Sequence, residues 1–342
     1  MKRIGYSLEK SGVSGQKSQE RDHGGEIDRT SFFERISETT LPPVVCKLAG
    51  EYDDVIGIRD EFLWKWMYVL LPSFRLDCVP ESHRQTARTQ KTLLTMFITV
   101  VDDIAERNRD APTFQQANAI PSAHRTVDYN HPGVDRDTLQ FAKRVWDTFE
   151  SRLQLAPRYD EFEDILRFDV AQTLNAMDHS LLVTNHPEIA NVDEQYLFGS
   201  NNMVMFPFAD VDLAYATEFD RRELPALRRL IRELQRMARI GNWVSTWERE
   251  LRERDLSSGI VARALEEGII ATNEIGGESF DSTELIRRID AHGIEDEFIT
   301  EWEQILESIR EQSFDVQSVD QQRLVDGMQT VMRYHLASHG YK

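Results

Sequence analysis

Cysteine is scarce in this 342-residue chain, and long apolar runs are missing from it. The two cysteines, Cys46 and Cys78, exclude a disulfide-rich scaffold and favour the cytoplasm as the compartment. No stretch reaches the roughly 20 apolar residues of a membrane-spanning helix, because residues 62–72 (FLWKWMYVLLP) are interrupted by Lys65 and end at Pro72. The first residues also lack the continuous apolar segment of a signal peptide.

Positive charge is in short supply as well. The chain has 59 acidic and 40 basic side chains, a net charge of −19 at pH 7, and only 8 of the basic residues are lysine. This balance argues against nucleic acid as a general partner. An acidic, lysine-poor surface suits a salt-rich cytoplasm and equally an ordinary acidic protein. An anionic ligand would need metal ions or a few arginines to reverse the charge locally.

Neither a Gly-rich phosphate loop nor strand-like alternation occurs in the sequence. From Phe32 onward apolar residues recur at spacings of three and four, which predicts helices throughout. We predict a disordered tail over residues 1–30 and one all-α domain over residues 31–342. Residues 108–133 are polar and predict a lid or a disordered loop. The predicted helices are Asp60–Leu71, His83–Arg107, Asp135–Leu153, Tyr159–Leu182, Val192–Ala216, Pro225–Glu253, Ser257–Glu267, Ser282–Ala291, Ile294–Ser313 and Asp320–Ser338.

An acidic motif follows the most apolar of these segments. Asp102 and Asp103 come directly after residues 93–101 (LLTMFITVV), and Glu106 lies four positions after Asp102. On a helix Asp102 and Glu106 therefore share one face, near the core. Buried carboxylates need cations or protons, and Mg²⁺ prefers such oxygen ligands. The alternative is a solvated helix end, because a chain with 59 acids produces such a pattern by chance.

A second polar stripe lies in residues 242–250 (NWVSTWERE). Asn242, Thr246 and Glu250 are spaced by four, so on a helix they form an oxygen-bearing row about 12 Å long. An amide, a hydroxyl and a carboxylate can together hold one Mg²⁺ ion, and Arg249 could reach an anion on that ion. The alternative is a surface helix, which the following residues ERELRERD resemble.

Together these motifs resemble those of the class I terpene synthases. DDIAE (102–106) is similar to their aspartate-rich motif, NWVSTWERE (242–250) to their second metal motif, and Arg333-Tyr334 to a pair near their C-terminus. The resemblance covers roughly residues 40–340. It implies an all-α, single-domain class I terpenoid synthase barrel of helices, open at one end. Two helices would face each other across the mouth and hold three Mg²⁺ ions, or Mn²⁺ as a substitute, around a substrate diphosphate.

The roles that the resemblance implies fall on specific residues. The implied metal ligands are Asp102, Asp103, Glu106, Asn242, Thr246 and Glu250, with Asp102, Asn242 and Glu250 central to catalysis. Asp103 and Glu106 would assist either as ligands or as hydrogen-bond acceptors. The implied diphosphate-binding residues are Arg249, Arg333, Tyr334 and, as a replacement donor, Asn201. Aromatic side chains would stabilise a carbocation through their ring faces. The candidates are Phe97, Phe206, Phe208, Trp243 and Trp247, for which plain core packing is the alternative.

One feature of the family is missing from the chain. Class I terpene synthases have an arginine that senses diphosphate at a helix break about 45 residues before the metal-binding asparagine. Here the segment from Glu188 to Asp220 contains neither lysine nor arginine. The polar residues 200–202, or Arg239 reaching across, are candidates to replace it. The difference affects the triggering step and not the metal site.

The resemblance predicts a cyclase that ionises a linear prenyl diphosphate of fifteen or twenty carbons and forms a terpene hydrocarbon or alcohol. A chain-elongating prenyl diphosphate synthase is the first alternative, although its second DDxxD motif is missing between residues 200 and 260. A non-catalytic acidic helical binding protein is the second. Many members of the family are dimers, so the resemblance also suggests a homodimer.

Overall fold

Helices make up the regular structure of the computed structural model, which describes residues 29–276 and 280–337. Within these ranges there is no strand, and the predicted all-α class is confirmed. The α-helices are α1 Arg29–Ser37, α2 Pro43–Val55, α3 Glu61–Leu70, α4 Glu81–Asp102, α5 Ala111–Ala117, α6 Arg136–Leu153, α7 Tyr159–Asn185, α8 Val192–Leu197, α9 Met205–Tyr215, α10 Leu224–Arg252, α11 Gly259–Glu266, α12 Thr272–Gly276, α13 Ser282–His292, α14 Ile294–Glu311 and α15 Gln321–Ala337.

Nine of the ten predicted helices appear as single helices with shifted ends, and the sequence missed α1, α2, α5 and α12. The missed helices are 5 to 13 residues long, which is too short for a clear apolar period. Helix α5 lies inside the segment predicted as a loop. Most of the predicted tail lies outside the described residues, but α1 already begins at Arg29.

The predicted helix Val192–Ala216 is broken in the structure, which corrects that prediction. A 3₁₀ turn, Gly199–Met203, separates α8 from α9, and Val204 adopts φ 59° and ψ 16°. This left-handed conformation is unfavourable for a β-branched residue, so the surroundings must enforce it. Thr173 of α7 and Gln235 of α10 hydrogen-bond the backbone and side chain of Asn201, at 3.1 Å each. Tertiary contacts therefore hold the break, and the local apolar pattern does not reveal it.

Helices α4 and α10 occupy the centre of the molecule and carry the two motifs. Helix α4 packs on α3, α6 and α9, and α10 packs on α9, α11, α14 and α15. One close approach requires a glycine, because a Cβ added at Gly259 would lie 2.6 Å from the ring of Trp243. No helix in the described ranges is long and apolar enough to cross a membrane.

A buried carboxyl pair ties α7, α9 and α10 together. Arg228 of α10 binds both oxygens of Asp169, with N–O distances of 2.5 and 2.8 Å. Asp210 of α9 hydrogen-bonds the same carboxylate. Burial, followed by the charge of Asp169 and that hydrogen bond, raises the pKa of Asp210 well above its ordinary value of 3.8. This shift favours the protonated form of Asp210, in which its carboxyl group donates to Asp169.

Replacing Asp210 with asparagine is expected to flatten the pH dependence of stability. A carboxyl group whose pKa is raised by folding contributes stability that is present below its unfolded pKa. That contribution is lost as the pH rises through the folded pKa, by up to about 1.4 kcal/mol per pH unit. The amide of Asp210→Asn keeps a hydrogen-bond donor towards Asp169 without taking up a proton.

The free energy of unfolding from urea titrations at pH 5 and pH 8 checks this expectation. Asp164→Asn, which changes an exposed acid of α7, is the control and should leave the wild-type slope unchanged. An Asp210→Asn protein whose stability falls with pH as steeply as that of the wild type would contradict the assignment.

Candidate active site

A cavity of about 1040 Å³ opens between α3, α4, α7 and α10. Its inner wall is mainly apolar and its mouth is charged. The apolar lining includes Phe62, Leu63, Trp66, Met67, Leu70, Phe74, Ile98, Leu181, Val204 and Phe208. The charged lining is Arg59, Asp60, Asp102, Glu106, Arg107, Arg109, Arg239, Arg249, Glu250, Glu253, Arg254 and Asp255. The volume lies at the upper end of ordinary ligand pockets.

The acidic motif stands at the point where α4 changes its winding. Residues Asp103–Arg107 form a π-helical turn, in which the amide of Asn108 donates to the carbonyl of Asp103 at 2.9 Å. Such turns are rare and often accompany functional sites. Asp102 and Glu106 both line the cavity. Glu106 is half-buried, and its side chain forms no hydrogen bond or ion pair with any residue that the structure describes.

Asp103 lies outside the cavity lining and acts as a hydrogen-bond acceptor, one of the two roles expected for it. Its side chain is fully buried, and its two oxygens accept hydrogen bonds from the Tyr52 hydroxyl at 2.7 Å and from Arg59 Nε at 2.8 Å. Burial, reinforced by Asp103, raises the pKa of Tyr52, so the hydroxyl keeps its proton. Asp103 therefore orients the Arg59 guanidinium from the side of the protein interior.

The second motif faces the same cavity from α10. Asn242, Thr246 and Glu250 all line it, four residues apart on one helix face. The Thr246 hydroxyl donates to the carbonyl of Asn242 at 2.7 Å, which leaves its oxygen lone pairs available. The helix ends just beyond Glu250, where the amide of Asp255 donates to the Glu250 carbonyl at 2.8 Å. Arg254 supplies the left-handed residue of this cap, with φ 61°.

The carboxylates of the two motifs influence each other across the mouth. Burial and the neighbouring acids raise the pKa of Asp102 to about 6 and that of Glu250 to about 7. Glu106 is affected most. Burial, followed by Asp102, Asp255 and Glu250, raises its pKa well above the ordinary value of 4.5. Carboxyl groups therefore crowd one another at the mouth, and a bound cation would stabilise their charged forms.

The donor set fits magnesium, although the described part of the chain holds no ready-made cluster of ligands. Within residues 29–276 and 280–337, no three acidic, histidine or cysteine side chains converge on one point. The oxygens instead line two sides of the mouth: carboxylates on α4, and an amide, a hydroxyl and a carboxylate on α10. Such mixed oxygen ligands with space between them suit Mg²⁺, which keeps several waters and shares phosphate oxygens.

Only one of the predicted diphosphate-binding residues reaches this mouth. Arg249 lines the cavity, 3.7 Å from Glu250 and 3.6 Å from Glu253. Arg333 does not line the cavity, and its guanidinium contacts the carbonyl of Gln329 and the hydroxyl of Thr330 within its own helix, at 3.3 Å each.

Tyr334 and Asn201 are likewise not part of the cavity lining. The hydroxyl of Tyr334 is hydrogen-bonded by Arg35, and its ring packs on Phe32, with ring centroids 4.8 Å apart. The amide of Asn201 donates to backbone carbonyls of its own turn and accepts a hydrogen bond from Gln235. The structure therefore places Arg333, Tyr334 and Asn201 outside the cavity lining, and their diphosphate-binding role stays a prediction.

The aromatic wall also differs from the prediction, and Phe208 is the only predicted ring that lines the cavity. Trp243 and Trp247 are fully buried on the neighbouring face of α10. Trp243 packs edge-on against Phe298 of α14, and Trp247 Nε1 donates to Glu295 at 2.8 Å. Each tryptophan is one residue, about 100° of helix rotation, beyond the metal-motif stripe. The stripe therefore faces the cavity while the tryptophans face α14.

The two predicted phenylalanines outside the lining have packing roles. Phe97 is fully buried and lies 5.0 Å from the ring of Trp146 in α6. Phe206 lies under the guanidinium of Arg228 at 4.5 Å. The cavity wall is formed instead by Phe62, Trp66 and Phe74, whose segment was predicted only as a helix with its following turn. Whether an aromatic ring faces the cavity or the protein interior depends on the rotation of its helix by about one residue. The periodicity of the sequence does not resolve so small a rotation.

Sequence reasoning missed two further residues of the site and left a third open. Arg59 sits in the short loop before α3, and His335 directly follows the Arg333-Tyr334 pair; both line the cavity. Arg239 is 3% exposed, and its Nη2 would lie 3.7 Å from a Cβ added at Gly199 in the helix break. A cation therefore does reach the break, from α10 and not from the break itself. Only the position of Arg239, three residues before Asn242, could have suggested this.

Comparison with known proteins supports the fold. No protein-family model and no curated protein sequence matches the chain. Its structure is similar to that of 2-methylisoborneol synthase from Streptomyces coelicolor A3(2), with a TM-score of 0.53 and 14% identity over 90% of this chain and 89% of that one. A second structure of that enzyme, in complex with Mg²⁺ and 2-fluoroneryl diphosphate, gives a TM-score of 0.50 and 14% identity over 88% and 94% of the two chains.

These similarities extend over nearly the whole of each chain. At 14% identity they define the architecture, so the chain has the all-α fold of the class I terpene synthases. The resemblance inferred from the motifs is thereby confirmed at the level of the fold. The roles of the individual site residues remain predictions.

Proposed function

We propose that the protein is a Mg²⁺-dependent terpene cyclase that ionises a linear prenyl diphosphate. One observation carries the proposal: two oxygen-rich motifs, 140 residues apart (242 − 102), line the mouth of a single apolar cavity of about 1040 Å³. The related structure with Mg²⁺ and 2-fluoroneryl diphosphate supports this type of ligand. Asp102 and Glu106 would hold ions on one side of the mouth, and Asn242, Thr246 and Glu250 on the other.

The protein's own groups would orient and stabilise the leaving diphosphate. Bound divalent ions supply Lewis-acid stabilisation of the charge that develops on it. Arg249 at the rim, and Arg239 beneath it, contribute fixed positive charge. Arg249 lies near Glu250 and Glu253, and Arg239 donates to Asn242 and to the carbonyl of Ser257, so both side chains are oriented before substrate arrives. The carboxylates of the two motifs would repel an anion until divalent ions bind them.

The apolar wall would fold the prenyl chain and protect the carbocation. Phe62, Trp66, Phe74 and Phe208 present rings to the cavity, and a cation over an aromatic face gains about 0.5–2 kcal/mol per ring. The same side chains exclude water, which would otherwise quench the cation. A chain of fifteen or twenty carbons with a hydrocarbon or alcohol product is our proposal for the substrate class. We also propose that the protein works in the cytoplasm. A homodimer remains a prediction.

Incubation with prenyl diphosphates of ten, fifteen, twenty and twenty-five carbons tests the proposal. We expect release of inorganic diphosphate and formation of a cyclic product with one or two of these chains, and loss of both when EDTA removes divalent ions. Gas chromatography with mass spectrometry identifies the product. A longer prenyl diphosphate, formed when isopentenyl diphosphate is added, would support the chain-elongating alternative. Absence of any metal-dependent turnover would favour the non-catalytic binding protein.

A further inference from the structure

Each metal motif already carries an internal cation on one of its ligand oxygens. Arg59 Nη2 lies 3.2 Å from Asp102 Oδ2, and Arg239 Nη1 donates to Asn242 Oδ1 at 3.0 Å. These are the oxygens that would bind metal in the proposed function. Both arginines line the cavity mouth, so the two contacts face the space in which a diphosphate would lie.

Arg59 is oriented towards Asp102 by buried partners. Its Nε and Nη2 atoms contact Asp103 Oδ1 at 2.8 and 2.6 Å, and the Tyr52 hydroxyl holds the other oxygen of that carboxylate. Burial alone would lower the pKa of Arg59, but Asp102 and Asp103 raise it above its usual value. Arg59 therefore stays charged, and its Nη2 is shared between the buried Asp103 and the predicted metal ligand Asp102.

Arg239 interacts with the carboxylates of both metal motifs. Its guanidinium is 3% exposed and also donates to the carbonyl of Ser257 at 3.1 Å. Burial lowers its pKa, and four carboxylates oppose that shift: Glu250, Asp255, Glu106 and Asp102. A divalent ion that binds Asn242 must therefore approach a positive charge already in contact with its ligand.

We propose, building on the proposed function, that Arg59 and Arg239 act as resident counter-cations that couple metal binding to diphosphate binding. Without diphosphate, an ion at Asp102 or Asn242 meets a guanidinium at short range, and the repulsion weakens its binding. With diphosphate present, the arginines gain a new anionic partner, and the metal ligands are released. Premature metal binding is thus disfavoured in the empty site. The two arginines are positioning residues for the metal ions and binding residues for the diphosphate.

Metal binding measured without turnover tests this coupling. Mn²⁺ affinity is determined by electron paramagnetic resonance of the full chain, with and without inorganic diphosphate. In the wild type we expect the affinity to rise about tenfold or more when diphosphate is added. In Arg239→Gln, and in the double variant Arg59→Gln with Asp103→Asn, we expect Mn²⁺ to bind about tenfold more tightly without diphosphate. The enhancement by diphosphate should shrink correspondingly in both proteins.

The choice of variants separates charge from folding. Asp103 is replaced together with Arg59 because a buried carboxylate left without its partner would destabilise the protein. Arg239 lies on another helix and tests the same inference by itself if the double variant does not fold. Arg144→Gln removes one positive charge from an ion pair of the same length, 3.2 Å to Glu51, outside the cavity lining. Its Mn²⁺ affinity should equal that of the wild type.

The outcomes distinguish this inference from the proposed function. If the wild type binds Mn²⁺ in a diphosphate-dependent way and both arginine variants bind it no more tightly, the coupling role is wrong and the metal site stands. If the wild type binds no Mn²⁺ under either condition, the proposed function fails and the coupling role fails with it. Tighter binding in Arg144→Gln as well would reduce the effect to net charge and would also overturn the inference.

Discussion

Replacing Glu250 with glutamine is expected to lower the rate of metal-dependent diphosphate release by about 10²–10³-fold. The carboxylate is the only full negative charge in the α10 row, whose other members are the amide of Asn242 and the hydroxyl of Thr246. An amide of the same shape binds a divalent ion far more weakly. Loss of one such stabilising interaction typically lowers kcat by that amount. Steady-state release of inorganic diphosphate, coupled to a phosphate assay, measures the change.

Glu248→Gln provides the matched control for this variant. Glu248 lies two residues earlier on α10 and pairs with Arg252 at 2.7 Å, outside the cavity lining. It should retain wild-type activity, and circular dichroism should show the same helix content in both variants. A Glu250→Gln protein with undiminished turnover would remove the α10 row from the metal site.

The largest loss of stability is expected from replacing Lys91 with methionine, at about 3–5 kcal/mol. Lys91 of α4 is 1% exposed and pairs with Asp212 of α9, whose side chain has no exposure. Lys91 also donates to the carbonyl of Phe74 at 3.2 Å, while Asp212 accepts from the amide of Leu76 at 2.8 Å. Burial lowers the pKa of Lys91 and raises that of Asp212, and each partner offsets the shift of the other. Without Lys91 the carboxylate loses its counter-charge.

Two further variants make this expectation specific. Lys91→Met combined with Asp212→Asn should recover most of the lost stability, because the amide carries no charge and still accepts from Leu76. Lys143→Met removes a lysine from a partly exposed ion pair with Asp147 and should change the free energy of unfolding by about 1 kcal/mol or less. Urea denaturation followed by circular dichroism gives the three values. A loss below 1 kcal/mol for Lys91→Met would show that Asp212 is neutral in the folded protein.

The Lys91–Asp212 pair also has a consequence for the site. It fixes the turn after α3 to α9, and these two elements contribute Phe74 and Phe208 to the cavity wall. The pair therefore helps to set the shape of the apolar surface on which a prenyl chain would fold. Neither Lys91 nor Asp212 stood out in the sequence, because the two residues are 121 positions apart.

The spacing of residues predicted which side chains share a face where all of them belong to one continuous helix. Asn242, Thr246 and Glu250 share a face because α10 is continuous through them, and they line the cavity. The same reasoning predicted that Asp102 and Glu106 share one face. Both line the cavity, although Glu106 lies in the π-helical turn that follows Asp102 and not in a regular α-helix. The spacing did not decide whether Asp103 is a ligand or a hydrogen-bond acceptor, because the orientation of that side chain depends on Tyr52 and Arg59 in other elements.

The sequence alone therefore determined the helical class, most of the long helices and the two oxygen-bearing rows, because these depend on interactions within a few residues of the chain. The tertiary structure decided which side chains surround the cavity: it excluded Trp243 and Trp247, admitted Phe74 and Trp66, and brought Arg59 and Arg239 onto the ligand oxygens. Those outcomes depend on the rotation of each packed helix and on charges from distant segments. Neither quantity is encoded in the spacing of residues along one helix.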